Sequence, residues 1–113
     1  VPIITAIGEI DIATAPLLLD CFNVIPPEAG MVVVDLSNVT FLDSNGLSVL
    51  LSGEKRFHDT LHTTRIHLVV ARPEILKLFD ITGLRAIFPI TSTLEEALVS
   101  RECPLVFDRS LNC

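Results

Sequence analysis

Two spacings of apolar residues take turns along the chain: short β-branched runs, and longer stretches in which they recur with a helical period. Ile3-Ile4-Thr5-Ala6-Ile7 is such a run; it predicts a strand that stops at Gly8. After Glu9-Ile10-Asp11-Ile12, the pair Thr14 and Pro16 predicts a helix start, with the helix continuing to about Val24. Pro26, Pro27 and Gly30 break the chain. Met31-Val32-Val33-Val34-Asp35-Leu36 then has the pattern of a strand buried on both faces, as in a sheet covered by helices on each side. Phe41-Leu42-Asp43-Ser44-Asn45-Gly46 leads into a periodic helix on which Leu47, Leu50, Leu51, Phe57 and Leu61 share a face. Glu54 is the one polar intrusion on that face, and Ser48, Ser52, Lys55, Arg56 and Asp59 occupy the remaining arc.

The second half repeats the alternation. Arg65 to Ala71 reads as a strand, Glu74 to Phe79 as a short helix opened by Pro73, and Ala86 to Ile90 as a last short strand. Ser92 or Thr93 caps a final helix through Val99. The order β-α-β-α-β-α-β-α predicts one α/β domain over residues 1–101, with a mixed sheet and about four helices. Residues 102–113 read as a C-terminal tail, because Pro104 prevents simple continuation of the last helix.

At 113 residues the chain is long enough for a single core without staples. Half of it is apolar, which excludes a disordered segment, and no apolar run approaches the roughly 18 residues of a membrane span. Eight basic against fourteen acidic residues leave a net charge of −6, with no basic stripe for phosphate backbones. Trp and Tyr are absent, so base-stacking platforms are not expected either. The three cysteines follow no CxxC or metal-ligand spacing. Cys21 sits among leucines and reads as an inert buried thiol, while Cys103 and Cys113 lie in the tail; a reduced, cytoplasmic protein is the expectation. The chain opens at Val1 inside a strand, as expected of a sequence whose N-terminal part has been removed.

Candidate chemistry gathers where the buried strand meets the longest helix, since open α/β sheets place functional groups at such junctions. Ser44 reads in two ways there. As an N-cap its hydroxyl would accept a hydrogen bond from Gly46 or Leu47, a contribution of about 1 kcal/mol. As a switch it would carry a phosphate, meeting free backbone N–H groups and the positive end of the helix dipole. The added charge of roughly −1.5 to −2 beside Asp43 would change what the surface binds while leaving the fold standing.

The segments Gly8-Glu9-Ile10-Asp11-Ile12-Ala13-Thr14-Ala15-Pro16, Val32-Val33-Val34-Asp35-Leu36-Ser37 and Phe41-Leu42-Asp43-Ser44-Asn45-Gly46-Leu47 resemble the STAS family, and within it the bacterial anti-sigma factor antagonists. The resemblance spans about residues 3 to 100. It implies that Ser44 is phosphorylated by a partner that is both anti-sigma factor and ATP-dependent serine kinase. It further implies that the unphosphorylated form captures that partner and frees the sigma factor, and that a serine phosphatase resets the cycle. Asp43, Asn45, Gly46, Leu47 and Ser48 then belong to the docking surface, with Asp11 and Thr14 lining the same face. No catalytic residue, cofactor, metal, nucleic acid or membrane is implied. Other STAS domains are constitutive interaction modules of anion transporters, stress-signalling assemblies or lipid-transport complexes, and that alternative stays open.

Two departures from the family pattern matter. A further N-terminal strand usually pairs with the one at Ile3 to Ile7; without it an open edge is expected, which offers a route to a homodimer. Ser48 also stands where a small glycine is common. Enzyme readings have less behind them. Ser44 lacks a GxSxG elbow, and Asp35 and Asp43 lack the paired acids and lysine of a phosphate-accepting aspartate site. There is no GxGxxG or GxxxxGK[ST] loop, and no motif decides the weak nucleotide binding attributed to some STAS domains. His58 and His62, four apart with Glu54 one turn earlier, lack a convincing further ligand, and His67 lies in another element, so a solvated or partly packed face is expected.

Overall fold

The computed structural model describes residues 1–26, 30–61, 65–99 and 107–112, with the backbone alone at 58–61, 99 and 107–112. In chain order the elements are β1 (Pro2–Ile10), α1 (Ala15–Asn23), β2 (Met31–Leu42), α2 (Ser44–Leu61), β3 (Arg65–Val69), α3 (Pro73–Thr82), a 3-10 turn (Leu84–Ala86), β4 (Ile90–Thr91), α4 (Leu94–Val99) and β5 (Phe107–Asn112). The strands form one sheet in the order β4-β3-β2-β1-β5. The expected α/β domain with four helices is the one observed.

Every pairing is parallel, where a mixed sheet was expected. An antiparallel neighbour can be reached through a tight hairpin, whereas each successive strand pair here is separated by a helix, the connection a parallel pair requires. From β1 to β4 each crossover steps the same way along the sheet, and right-handed crossovers in one direction deposit their helices on one face. Ala15, Leu18 and Phe22 of α1, Leu50 and Phe57 of α2, and Ile75 and Phe79 of α3 accordingly share one core with Ile4, Ala6, Val32, Val34, Ile66 and Leu68. The step from β4 to β5 runs back across the sheet and puts α4 on the opposite face. There Ala97 packs on Ile3, Met31, Val33 and Val69 in a second, smaller cluster.

Three strands or helices run further than the sequence pattern predicts, each for a local reason. β1 continues past Gly8 because that glycine, at φ 92°, absorbs a register shift between Gly8 and Glu9. β2 continues from Leu36 to Leu42 through a second irregularity, where the Asp35 carboxylate accepts the Ser37 N–H at 3.0 Å and its hydroxyl at 2.5 Å. α3 reaches Thr82 and ends on Gly83 at φ 76°. The last predicted strand, by contrast, is reduced and shifted to Ile90–Thr91, with Ala86 closing the 3-10 turn before it.

The open edge expected on β1 is occupied. Residues 107–112, expected to be tail, form β5 and pair with β1 from Pro2↔Phe107 to Ile7↔Asn112. A homodimer through an open β1 edge therefore loses its premise: β5 would have to leave first. Arg56, expected on the solvated arc of α2, instead turns toward α1. It donates to the Phe22 and Ile25 carbonyls at 3.2 and 3.4 Å, satisfying acceptors at that helix's C-terminal end. Glu54 is explained in the same way. Its carboxylate accepts the Ile66 N–H at 3.3 Å and lies 3.8 Å from Arg65, tying α2 to the start of β3.

Candidate functional site

Because all the strands are parallel, their C-terminal ends lie along one edge of the sheet, and the β1–α1 and β2–α2 loops meet there. Ile10 pairs with Leu42, and the Asp43 N–H donates to the Ile10 carbonyl at 3.3 Å, fastening one loop to the other.

Each loop is organised by an aspartate. Asp11 Oδ1 accepts the Ala13 and Thr14 N–H groups at 3.0 and 3.1 Å. Thr14 occupies the expected helix-start position, but its hydroxyl points back into the loop. It accepts the Asp11 N–H at 2.9 Å and donates to the Glu9 carbonyl at 2.8 Å. Asp43 does the equivalent for α2. Its Oδ1 accepts the Asn45 and Gly46 N–H groups at 2.9 and 3.3 Å, Oδ2 accepts the Asn45 side-chain amide at 3.3 Å, and its backbone carbonyl accepts the Leu47 N–H at 3.1 Å.

This corrects the expectation that Ser44 is the cap. Asp43 caps α2, and Ser44 is the first helical residue, exposed, with no bond to its hydroxyl among the described residues. It also corrects the expectation of free N–H groups for a phosphate, since those of Asn45, Gly46 and Leu47 are already engaged.

Gly46 explains how tightly the helix start sits on the sheet. A Cβ at this buried position would lie 2.8 Å from Ile10 Cγ2 and run into Leu42 Cδ1. Only glycine lets α2 approach β1 and β2 this closely, so Gly46 acts as a spacer for the site rather than as contact surface. Ser44 and Ser48, one helical turn apart, are both exposed on the same face of α2, with Asn45 and Leu47 half-buried beside them.

The structure thus brings Asp11, Thr14, Asp43, Ser44, Asn45, Gly46, Leu47 and Ser48 to one end of the sheet. Three apolar residues absent from that set join them. Ile12, 76% exposed, tops the β1–α1 loop, and Ile7 and Phe41, 42% and 48% exposed, stand on the strands below it. Ile7 is exposed by plain alternation with the buried Ala6, on the sheet face away from α1 and α2, whereas Phe41 is turned outward by the register shift between Gly8 and Glu9, which periodicity alone does not locate. Asp35 is held by Ser37 eight residues before Asp43, on the order of 25 Å along an extended strand, so the two carboxylates do not form a site.

Cys21 is half-buried against the main core. His62, Cys103 and Cys113, and the side chain of His58, lie outside the described residues; among the described residues no three metal-ligating side chains cluster. His67 is buried on β3 facing α4, its Nε2 3.3 Å from the Thr91 hydroxyl, and burial holds its pKa below the ordinary histidine value. Among the described residues no helix is long and apolar enough to cross a membrane.

The site is thus an exposed serine opening a helix, with an aspartate cap before it and a glycine spacer after it, on a four-helix parallel α/β domain. The STAS domain model matches residues 1–97, and the chain belongs to that family. It is 33% identical over 84 residues to the anti-sigma-B factor antagonist of Listeria monocytogenes, covering 74% of this chain and 72% of that one. It is 30% identical over 88 residues to the anti-sigma-B factor antagonist of Bacillus subtilis, covering 78% and 79%. Among solved structures, an anti-sigma factor antagonist from Mycobacterium paratuberculosis superposes with a TM-score of 0.72 at 32% identity, covering 86% of this chain and 84% of that one.

Proposed function

We propose that the chain is an anti-sigma factor antagonist that works by partner switching in the cytoplasm. With Ser44 unmodified, the surface formed by the β1–α1 loop and the start of α2 binds an anti-sigma factor that is also a serine kinase, and the sigma factor is released. The partner then phosphorylates Ser44, binding is lost, and a serine phosphatase restores the first state. The chain supplies no catalytic group; it is substrate and ligand.

The observation that carries this reading is the division of labour between Asp43 and Ser44. Asp43 holds the helix start, which leaves the Ser44 hydroxyl exposed and without a structural task. The same arrangement supports an electrostatic switch. With the Asn45 and Gly46 N–H groups already taken by Asp43, a phosphate on Ser44 stays on the outer surface beside a carboxylate. A partner that fits the neutral hydroxyl, Ile12 and Phe41 would have to bury a near-dianion with no cation to meet it. An unpaired buried charge costs several kcal/mol, and each 1.4 kcal/mol is tenfold in affinity.

The test uses wild type, Ser44→Ala and Ser44→Asp as baits in lysate of the source cells. Captured proteins are identified, and the recovered wild-type bait is mapped for phosphate. The expected result is an anti-sigma kinase retained by wild type and Ser44→Ala but weakened on Ser44→Asp, with phosphate on the Ser44 peptide of wild type only. Equal capture of transporter or scaffold proteins by all three baits would replace this reading with a constitutive interaction module.

A further inference from the structure

The sheet has a second feature at its C-terminal edge, away from Ser44. β3 leads into α3, which packs with α1 and α2 on one face, while the neighbouring strand β4 leads into α4 on the other. Two adjacent parallel strands whose outgoing connections part to opposite faces leave a crevice between them, and open α/β sheets bind small ligands in crevices of this kind. Here the crevice is a cavity of about 340 Å³, at the small end of the ligand-pocket range of about 300–1,000 Å³.

The lining defines the occupant. Val70, Leu76 and Ile90 give it an apolar floor, Arg85 and Glu96 bring one cation and one anion to its wall, and of its two hydroxyls that of Thr91 is already engaged by His67 and the Thr93 carbonyl, leaving that of Ser92. Arg85 lies 3.1 Å from Asp80 through one terminal nitrogen, and a guanidinium keeps further donors beyond such a contact. A phosphate ester fits poorly: Glu96 is in the wall, with Glu95 beside it and Glu74 in the first turn of α3. A purely apolar ligand would leave Arg85 and Glu96 facing a surface that answers neither. A small molecule with a carboxylate, an ammonium group and an aliphatic body matches the two charges and the floor together.

We propose that this crevice is a binding site for a small aliphatic zwitterion of the α-amino acid class, with Arg85 receiving the carboxylate, Glu96 the ammonium group, and Val70, Leu76 and Ile90 the side chain. The site is separate from the Ser44 surface and does not rest on the partner-switch reading.

The test is a titration of the full, isotopically labelled chain with L-leucine, followed by amide nitrogen–proton correlation spectra. 4-Methylpentanoate, which lacks the ammonium group, and 3-methylbutylamine, which lacks the carboxylate, serve as matched controls. Saturable shifts confined to Val70, Ala71, Leu76, Ile90 and Ser92 are expected, with a millimolar dissociation constant. Each control ligand, and each of Arg85→Gln and Glu96→Gln with leucine, should bind roughly tenfold more weakly, as loss of one charge-assisted hydrogen bond implies. Ser44→Asp should leave the titration unchanged. No shifts at tens of millimolar leucine, shifts centred elsewhere, or a control ligand matching leucine would each overturn the proposal. The spectra of the two variants also report directly whether they fold.

Discussion

Replacing Asp43 and Ser44 one at a time separates the residue that holds the helix from the residue free to be modified. Asp43→Ala deletes the acceptor for the Asn45 and Gly46 N–H groups and removes a carboxylate from the positive end of an 18-residue helix. Losing such a cap costs about 0.5–2 kcal/mol, and losing the charge–dipole attraction about 0.3–1 kcal/mol. The two overlap, because the same oxygen supplies both, so the expected loss is about 1.5 kcal/mol. For a domain of this length that corresponds to a fall in Tm of about 5 °C. Asp43→Asn keeps an acceptor oxygen and loses the charge, and should cost about 0.5 kcal/mol. Ser44→Ala removes an exposed hydroxyl that bonds nothing among the described residues and adds a better helix former, so stability should stay within about 0.5 kcal/mol of wild type. Urea unfolding followed by far-ultraviolet circular dichroism at neutral pH, with equal slopes required for the comparison, measures all three. A Ser44→Ala variant as unstable as Asp43→Ala would refute the assignment of the cap, and with it the argument that the Ser44 hydroxyl is available to a kinase.

Three further outcomes follow from the packing. At Gly53 a Cβ would stand 2.9–3.1 Å from three atoms of the buried Phe22 ring, so Gly53→Val should destabilise by about 2 kcal/mol despite leaving the helix; unchanged urea stability would mean that α1 can move aside freely. Burial lowers the pKa of His67, so below about pH 6.5 the unfolded chain takes up a proton that the folded chain resists. The contribution of neutral His67 is therefore complete above about 6.5 and declines as pH falls toward the lowered folded value. The stability difference between wild type and His67→Gln should shrink from about pH 7.5 to about 5.5, and a constant difference would contradict the assignment. Removing residues 102–113 deletes β5 and uncovers the β1 edge. Faster amide exchange in β1 and a concentration-dependent shift toward dimer by light scattering are expected, whereas unaltered exchange would mean that β5 gives β1 no protection.

The order of elements was legible because the chain changes period at each one. Val32-Val33-Val34, bounded by breakers, has the pattern of a strand covered on both sides, and the spacing of Leu47, Leu50 and Phe57 that of a helix with one face on the core. What stayed hidden depended on pairing. Gly8 reads locally as a stop, but opposite β2 it becomes a register shift that lets β1 run on to Ile10. Arg56 reads as surface charge, and Glu54 as a polar intrusion on the apolar face, because their partners, the Phe22 and Ile25 carbonyls and the Ile66 N–H, are backbone groups of other elements. β5 gave no periodic signal over six residues; its place is fixed by the edge it covers.

The candidate site divides along the same line. That Ser44 and Asp43 stand at a candidate site was readable from the junction of a buried strand with a helix start, and Asp11 and Thr14 were implied by the family resemblance, but which of two adjacent cap formers takes the backbone was not readable. Aspartate and serine are both good N-caps, and the choice falls on whichever precedes the first helical residue. Gly46 presses against Ile10 and Leu42 from the third helical position, in the arrangement that has Ser44 as the first helical residue and Asp43 as the cap. The close approach of a helix to a sheet, permitted by a missing Cβ, goes together with a carboxylate that is held at Asp43 and a hydroxyl that is exposed at Ser44. On this argument Gly46→Ala should do more than strain the core. By forcing the start of α2 away from β1 it should loosen the Asp43–Ile10 bond that joins the two loops, and reduce phosphorylation of Ser44 by a larger factor than the same loss of stability introduced at Gly53. Equal effects at matched stability would show that the site tolerates movement of its helix, and that Gly46 serves packing alone.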